Sequence, residues 1–222
     1  MDYQKFIDTL PALYEDWMHE SVRPKSNDFQ EILEKVQGMT KPAVMQMLNW
    51  AVECMEPDEL YCEIGCYLGS TLIGAMQYHP DKIAYAVDNF SEFDPEGENL
   101  KKLTEHIEMF GLRNQVKFHN QGFQDFFLKL RESKATSKKI GVYFYDGAHD
   151  YRSQMLGYLL ARPFLAQRAL IVVDDTNDAT VQLSIQDFIT AEPNCKLLVS
   201  LLGGGFWNGI HILSWDTTQN KV

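Results

Sequence analysis

The sequence predicts an α/β fold: a doubly wound, mostly parallel sheet of seven strands, preceded by a helical segment. Three observations predict it. No strand pattern occurs before Leu60, and short apolar runs then alternate with helical stretches. The last two runs are separated only by GGGFWN, too short for a crossover helix, so they close as an antiparallel hairpin. A chain of 222 residues suffices for one full core. Residues 1–57 are expected as a helical cap or lid on a core of residues 58–222, one structural domain overall.

The elements follow in order. Phe6, Leu10, Tyr14 and Trp17 share one helical face, and Phe29, Ile32, Leu33 and Val36 share another, which Gly38 ends. Thr40 can cap a third helix with the apolar stripe Val44, Met47, Leu48, Ala51 and Met55. The next apolar runs are LYCEI, IAYAVD, VKFHN, IGVYFYD and ALIVVDD, with helical stretches such as EGENLKKLTEHIEMFG and YRSQMLGYLLARPFLA between them. Strands spaced by helices are parallel and joined by right-handed crossovers. CKLLVSLL and GIHILSW form the closing hairpin.

Composition narrows the function. With 20 basic and 31 acidic residues the net charge is -11, which repels phosphate backbones and anionic membrane surfaces. Nucleic acid and membrane are therefore not expected partners; a small-molecule substrate is, and a homodimer is compatible with the chain. Four cysteines without a C-x-x-C pair indicate a reduced protein, and an acidic N-terminus lacks the pattern of a signal peptide. A cytoplasmic location is expected.

The stretch YCEIGCYLGSTL carries E-x-G-x-x-x-G. A dinucleotide turn needs G-x-G-x-x-G, but Tyr67 stands where its second glycine would let a pyrophosphate approach, and no G-K-[ST] loop is present. Five acids, Glu63, Asp88, Asp146, Asp174 and Asp175, fall at or just past the carboxyl ends of predicted strands, where open α/β sheets bind ligands. Asp88 is spaced for ribose hydroxyls. An acidic edge favours a cofactor with a ribose and a positive charge, a description S-adenosylmethionine fits.

Taken together, YCEIGCYLGSTL, AVDNF, FYDGAHDY and VVDDTND resemble the class I S-adenosylmethionine-dependent methyltransferases, with their Rossmann-like fold, over roughly residues 38–215. The resemblance is strongest to small-molecule O-methyltransferases, the catechol type and the sugar-modifying type. It implies that Glu63, Gly65 and Gly69 shape the methionine end of the site, that Ser70 and Asp146 also belong to the cofactor-binding set, and that Asp88 holds the ribose. Asn89 and Phe90 would lie beside the adenosine, as would Gln121, Gly122 and Phe123. Gly38, Met39 and Thr40 match a segment that contacts the cofactor in the catechol type. Families of this kind often carry an acid where Gly122 stands.

Asp146, Asp174 and Asp175 would converge on the cleft from neighbouring strands. Three carboxylates this close raise one another's pKa unless a cation joins them, and all-oxygen donors select a hard ion, Mg²⁺ first. The resembling metal-dependent enzymes hold their ion with an acid after the fourth strand and a pair after the fifth. His149, three residues after Asp146, matches the position of their general base, so the resemblance implies a catalytic role for His149 and Asp146.

Tyr14, Trp17, Met18, Phe206 and Trp207 are candidates for aromatic and apolar walls over the cleft, or for plain core. His211, in a strand, reads as a core histidine. Other classes stay open: a metal-independent methyltransferase, an oxidoreductase or hydroxylase on the same fold, or a cofactor-binding module without turnover.

Overall fold

The computed structural model describes residues 1–133 and 138–218; residues 134–137 and 219–222 of the expected core range lie outside the described residues. The chain opens with α1 (Tyr3–Thr9), which Asp2 caps by accepting from the Lys5 amide. It ends early because Pro11, which has no amide hydrogen, forces a 3-10 turn over Leu10–Leu13. The single helical face expected through Trp17 is therefore broken.

Two short strands follow, β1 (Tyr14–Glu15) and β2 (Arg23–Pro24), paired antiparallel. They correct the expectation of no strand before Leu60. Two-residue strands leave no alternation to read, and the turn between them relies on left-handed backbone at Asp16 and Met18.

The second helix, α2 (Asp28–Lys35), ends before Gly38, with Val36 already extended. Gly38 serves packing rather than termination, since a Cβ there would lie 2.1 Å from Ser70 Oγ. The third, α3 (Pro42–Glu53), starts with proline in its first turn and Lys41 as N-cap, without a capping side chain. Thr40 is thus not the cap; its Oγ1 is buried with no hydrogen-bond partner. The expected stripe of Val44, Met47, Leu48, Ala51 and Met55 is buried.

The remaining elements alternate. They are β3 (Glu59–Ile64), α4 (Ser70–Met76), β4 (Ala84–Asp88), α5 (Asn99–Met109), β5 (Val116–Asn120), α6 (Phe123–Ser133), β6 (Lys139–Tyr145), α7 (Tyr151–Ala161), β7 (Leu165–Val173), α8 (Ala179–Ala191), β8 (Cys195–Leu201) and β9 (Ile210–Asp216). The seven-stranded sheet has the order β5-β4-β3-β6-β7-β9-β8. Its first five members are parallel, and β9 runs antiparallel to both β7 and β8, as the short GGGFWN link requires.

Every residue of β3 is buried, as a central parallel strand covered on both faces must be. Its side chains alternate between two cores. Tyr61 joins the one built with α3 and α4, while Leu60, Cys62 and Ile64 join the one built with α7 and α8. Residues of the first 57, among them Phe6, Leu10, Tyr14 and Val44, share the first core with Tyr61 and Phe144. Tyr14, Trp17 and Phe206 pack as one aromatic cluster with centroids 5.1 to 6.1 Å apart. The Lys41 ammonium donates to the Gly204 carbonyl, tying the N-terminal segment to the loop before β9.

The strand order reverses between β3 and β6, which opens a crevice at their carboxyl ends. Among the described residues no helix is long and apolar enough to cross a membrane.

Candidate active site

Backbone hydrogen bonds carry the sheet ladder just past the strand ends, and this sets the site. The Gly65 amide donates to the Val87 carbonyl, Gln121 to Asp88, Asp146 to Ile64 and Asp174 to Tyr145, at 2.9 to 3.1 Å. Asp88, Gly65, Asp146 and Asp174 thereby stand side by side along one edge.

After β3 the chain turns sharply. Gly65 has φ +82° and Gly69 +91°, and Tyr67 between them is also left-handed at +43°. A Cβ on Gly65 would sit 1.9 Å from the Asp146 carbonyl oxygen, so only glycine lets the first turn lie against the fourth parallel strand's end. Asp88 braces the turn from below: its Oδ2 accepts from the Tyr67 amide at 2.9 Å and its Oδ1 from the Phe90 amide at 2.8 Å. Phe90 too is left-handed, at φ +50°. The Asp88 carboxylate keeps lone pairs beyond these two bonds with which to accept from hydroxyl donors.

Glu63 lies deeper than expected. Rather than lining an acidic lip, it is fully buried, because β3 turns it toward α4. Its Oε2 accepts from the Tyr61 hydroxyl at 2.5 Å and its Oε1 from the Thr71 hydroxyl at 2.7 Å. Burial outweighs these bonds and pushes the carboxyl up to about 7 from 4.5.

The folded chain therefore holds this proton more tightly than the unfolded chain. Glu63 contributes stability that is full below pH 4.5 and lost as pH rises through about 7. At about 1.4 kcal/mol per unit, the loss is on the order of 3 kcal/mol. Urea unfolding at pH 5 and at pH 8 should show Glu63→Gln losing less stability over that interval than the parent; equal losses would refute the buried-carboxyl assignment.

The rest of the expected cofactor set divides by exposure. Ser70 is buried at the start of α4, beside Gly38. Met39 is exposed while Thr40 beside it is buried, its orphaned Oγ1 free to bond a bound polar group. Asn89 is exposed, and Gly122 has no neighbour closer than 3.4 Å to an added Cβ. Phe123 meets the Tyr145 ring edge-on at 5.8 Å, and Gln121 accepts from Lys129. An open edge flanked by glycine, a braced acid with free lone pairs and an unpartnered buried hydroxyl suit S-adenosylmethionine.

Across the crevice, His149 Nε2 lies 2.7 Å from Asp175 Oδ2. Asp175 Oδ1 accepts from Asn208 Nδ2, also at 2.7 Å. Against the cost of its burial, Asp175 is held below the ordinary carboxylate range by these two bonds. The hydrogen bond to Asp175 in turn raises His149 above the usual imidazole value. Burial, with Asp174 and Asp175 nearby, lifts Asp146 well above its ordinary value. Burial and Asp175 push Asp174 up to about 7.

Donor atoms of Asp146, His149 and Asp175 all lie within 4.8 Å of one another. Asp174 is not in that group; it is nearly buried and its Oδ1 accepts from the Asp175 amide. Carboxylates crowded beside one imidazole are a donor set that fits a divalent cation. Neither Asp174 nor Asp175 caps α8, because Asp178 does, accepting from Thr180 and Val181. His211 is half satisfied: Nε2 meets Ser200 Oγ at 2.9 Å, and Nδ1 is buried without a partner.

Tyr61, Thr71 and Asn208 belong to the site's hydrogen-bond networks and were not among the expected residues. Tyr61 and Thr71 lie inside the recognised YCEIGCYLGSTL stretch, but nothing local marks them as partners of Glu63. Asn208 is 33 residues from Asp175, with no pattern linking the two.

A family described as a methyltransferase domain matches residues 62–176. The fold is similar to that of an O-methyltransferase from Bacillus cereus solved in complex with SAH, at 15% identity and a TM-score of 0.68, over 95% of this chain and 100% of that one. It is also similar to TomG, an O-methyltransferase from Streptomyces achromogenes involved in tomaymycin synthesis and solved with SAM. There the identity is 14%, the TM-score 0.64, and the coverage 97% of this chain and 96% of that one. At such identities the likeness carries the fold alone. No curated protein matches the chain in sequence.

Proposed function

The chain belongs to the methyltransferase-domain family, and from that premise we propose that it methylates a hydroxyl oxygen of a small molecule, with His149 as general base and Mg²⁺ in the cleft. The observation that carries this reading is the His149–Asp175 pair at 2.7 Å, with Asp146 beside it, on the same sheet edge as the glycine turn and Asp88. O-methyltransferases with this fold, one bound to SAH and one to SAM, support it.

The residues divide the work. Asp88 would bind the ribose and Gly65 and Gly69 would let the cofactor's methionine end lie close to the backbone, with Ser70, Met39 and Thr40 alongside. Asn89, Phe90, Gln121, Gly122 and Phe123 would border the adenosine. Asp146 and Asp175, with Asp174 behind them, would hold the cation. When bound, S-adenosylmethionine supplies the sulfonium methyl group, and Mg²⁺ supplies positive charge that makes a nearby hydroxyl more acidic. His149 takes the hydroxyl proton, and Asp175 stabilises the imidazolium so formed. The segment 1–57 would act as a cap, its Tyr14 and Trp17 packed on Phe206 and restricting water at the cleft.

A second reading rests on a specific observation. Both Asp175 oxygens already accept from protein donors, so the base can be oriented without any cation. The two readings separate in one assay. Transfer of a labelled methyl group from S-adenosylmethionine to a panel of catechols, sugars and hydroxy acids should be found for one class and be abolished by EDTA. Full activity in EDTA would discard the cation and keep the base; no transfer to any hydroxyl would discard O-methylation.

A further inference from the structure

The loop between β8 and β9 is fastened to the segment from Asp175 to Asn177 by more than one route. The Thr176 amide donates to the Gly209 carbonyl at 3.1 Å, and the Asn177 amide donates to the Asn208 carbonyl at 2.8 Å. Gly209, at φ +91°, sits so close that a Cβ would lie 2.9 Å from Asn177 Oδ1 and 3.0 Å from Thr176 Oγ1. These contacts fasten residues 208–209 to residues 176–177 through the backbone. Among the described residues they leave the Asn208 side chain, on an otherwise exposed residue, with one polar contact, Nδ2 to Asp175 Oδ1.

The chemistry of the three groups then has one consistent assignment. A carboxylate only accepts, so the amide nitrogen of Asn208 and the protonated nitrogen of His149 must both face Asp175. Asp175 itself is left-handed, at φ +54°, a backbone conformation that persists where its surroundings hold it. Asn208 takes Oδ1, which turns Oδ2 to His149 Nε2. The hydrogen on Nε2 leaves the lone pair on Nδ1.

We propose that Asn208 is a positioning residue: it holds Asp175 so that the second oxygen accepts the His149 Nε2 proton, locking the imidazole in one tautomer with Nδ1 as the proton acceptor. The inference deepens the reading of His149 as base and rests on that reading for its significance. Asn208 touches neither substrate nor cofactor in this role; it acts through Asp175. It also joins the base to the loop whose Phe206 packs on Trp17.

The test reads His149 directly and requires no acceptor, cofactor or metal. Ring-nitrogen shifts are measured by nitrogen-15 NMR on the labelled full chain at about pH 9, where imidazole is neutral. His149→Gln identifies the signal. The parent protein should show the two widely separated nitrogen shifts of a single Nε2–H tautomer. Asn208→Ala, and Asn208→Leu, which keeps the side chain's shape without a donor, should draw the two shifts together while leaving the unfolding midpoint unchanged. A merely structural brace would lower the midpoint and leave the tautomer intact. Unchanged separation in both variants, or averaged shifts already in the parent, overturns the proposal. Failure of methyl transfer would appear in the labelled-methyl assay instead, so the two claims fall separately.

Discussion

His149→Ala is expected to lower kcat by about 10²- to 10⁴-fold, with cofactor affinity unchanged. The magnitude follows from removing a positioned proton acceptor, and the selectivity follows from position. His149 is paired with Asp175 on the loop after β7, whereas Asp88, proposed to bind the ribose, and the glycine turn stand at β4 and β3. The pH profile adds a sign. The hydrogen bond to Asp175 raises His149 above 6.5, and only the neutral imidazole can take a proton. In the metal-free chain the His149 imidazole should therefore titrate above pH 6.5, and Asp175→Asn should lower that midpoint. Histidine NMR titration in EDTA checks both; turnover undiminished by His149→Ala would remove the imidazole from the reaction.

Gly65→Ala is expected to destabilise the protein by about 3 kcal/mol or more, from left-handed strain and steric overlap together. The overlap is with backbone, the Asp146 carbonyl oxygen at 1.9 Å, which cannot swing aside as a flexible side chain could. Relief would require β3 and β6 to separate at their carboxyl ends, so cofactor binding should fall with stability. Gly97→Ala is the control. Gly97 is also left-handed, at φ +69°, but nothing lies within 4 Å of its added Cβ, so it should cost only about 1 kcal/mol. Urea unfolding of the two variants separates strain from collision; equal losses would mean that the contact with Asp146 is unimportant.

Much of this architecture was legible because the sequence repeats its patterns locally. The stripe from Val44 to Met55 and the apolar runs at β3, β6 and β7 announce themselves within a single element. So does the short GGGFWN link, which permits only a hairpin. The acids at strand ends were readable too, since strand ends imply a shared edge.

What could not be read depends on contacts between distant elements. Two-residue strands at Tyr14 and Arg23 carry no periodicity. Thr40 looks like a cap in one dimension, yet Lys41 occupies that position and the hydroxyl is left orphaned. Gly38 looks like a helix stop and proves to be a packing site for Ser70. Glu63 reads as part of an acidic rim, but strand alternation points it inward to Thr71, where burial changes its charge. The Asn208 contact with Asp175 exists only once β9 lies beside β7.

The most direct test of the whole account is calorimetric titration of S-adenosylmethionine, and then of S-adenosylhomocysteine, into the full chain with Mg²⁺ and with EDTA. Both should bind with micromolar affinity, about -8 kcal/mol, weakened by Asp88→Ala, with a further Mg²⁺-dependent heat that Asp146→Asn abolishes. Absence of binding by either compound would contradict the cofactor assignment and reduce the glycine turn to a tight connection between β3 and α4.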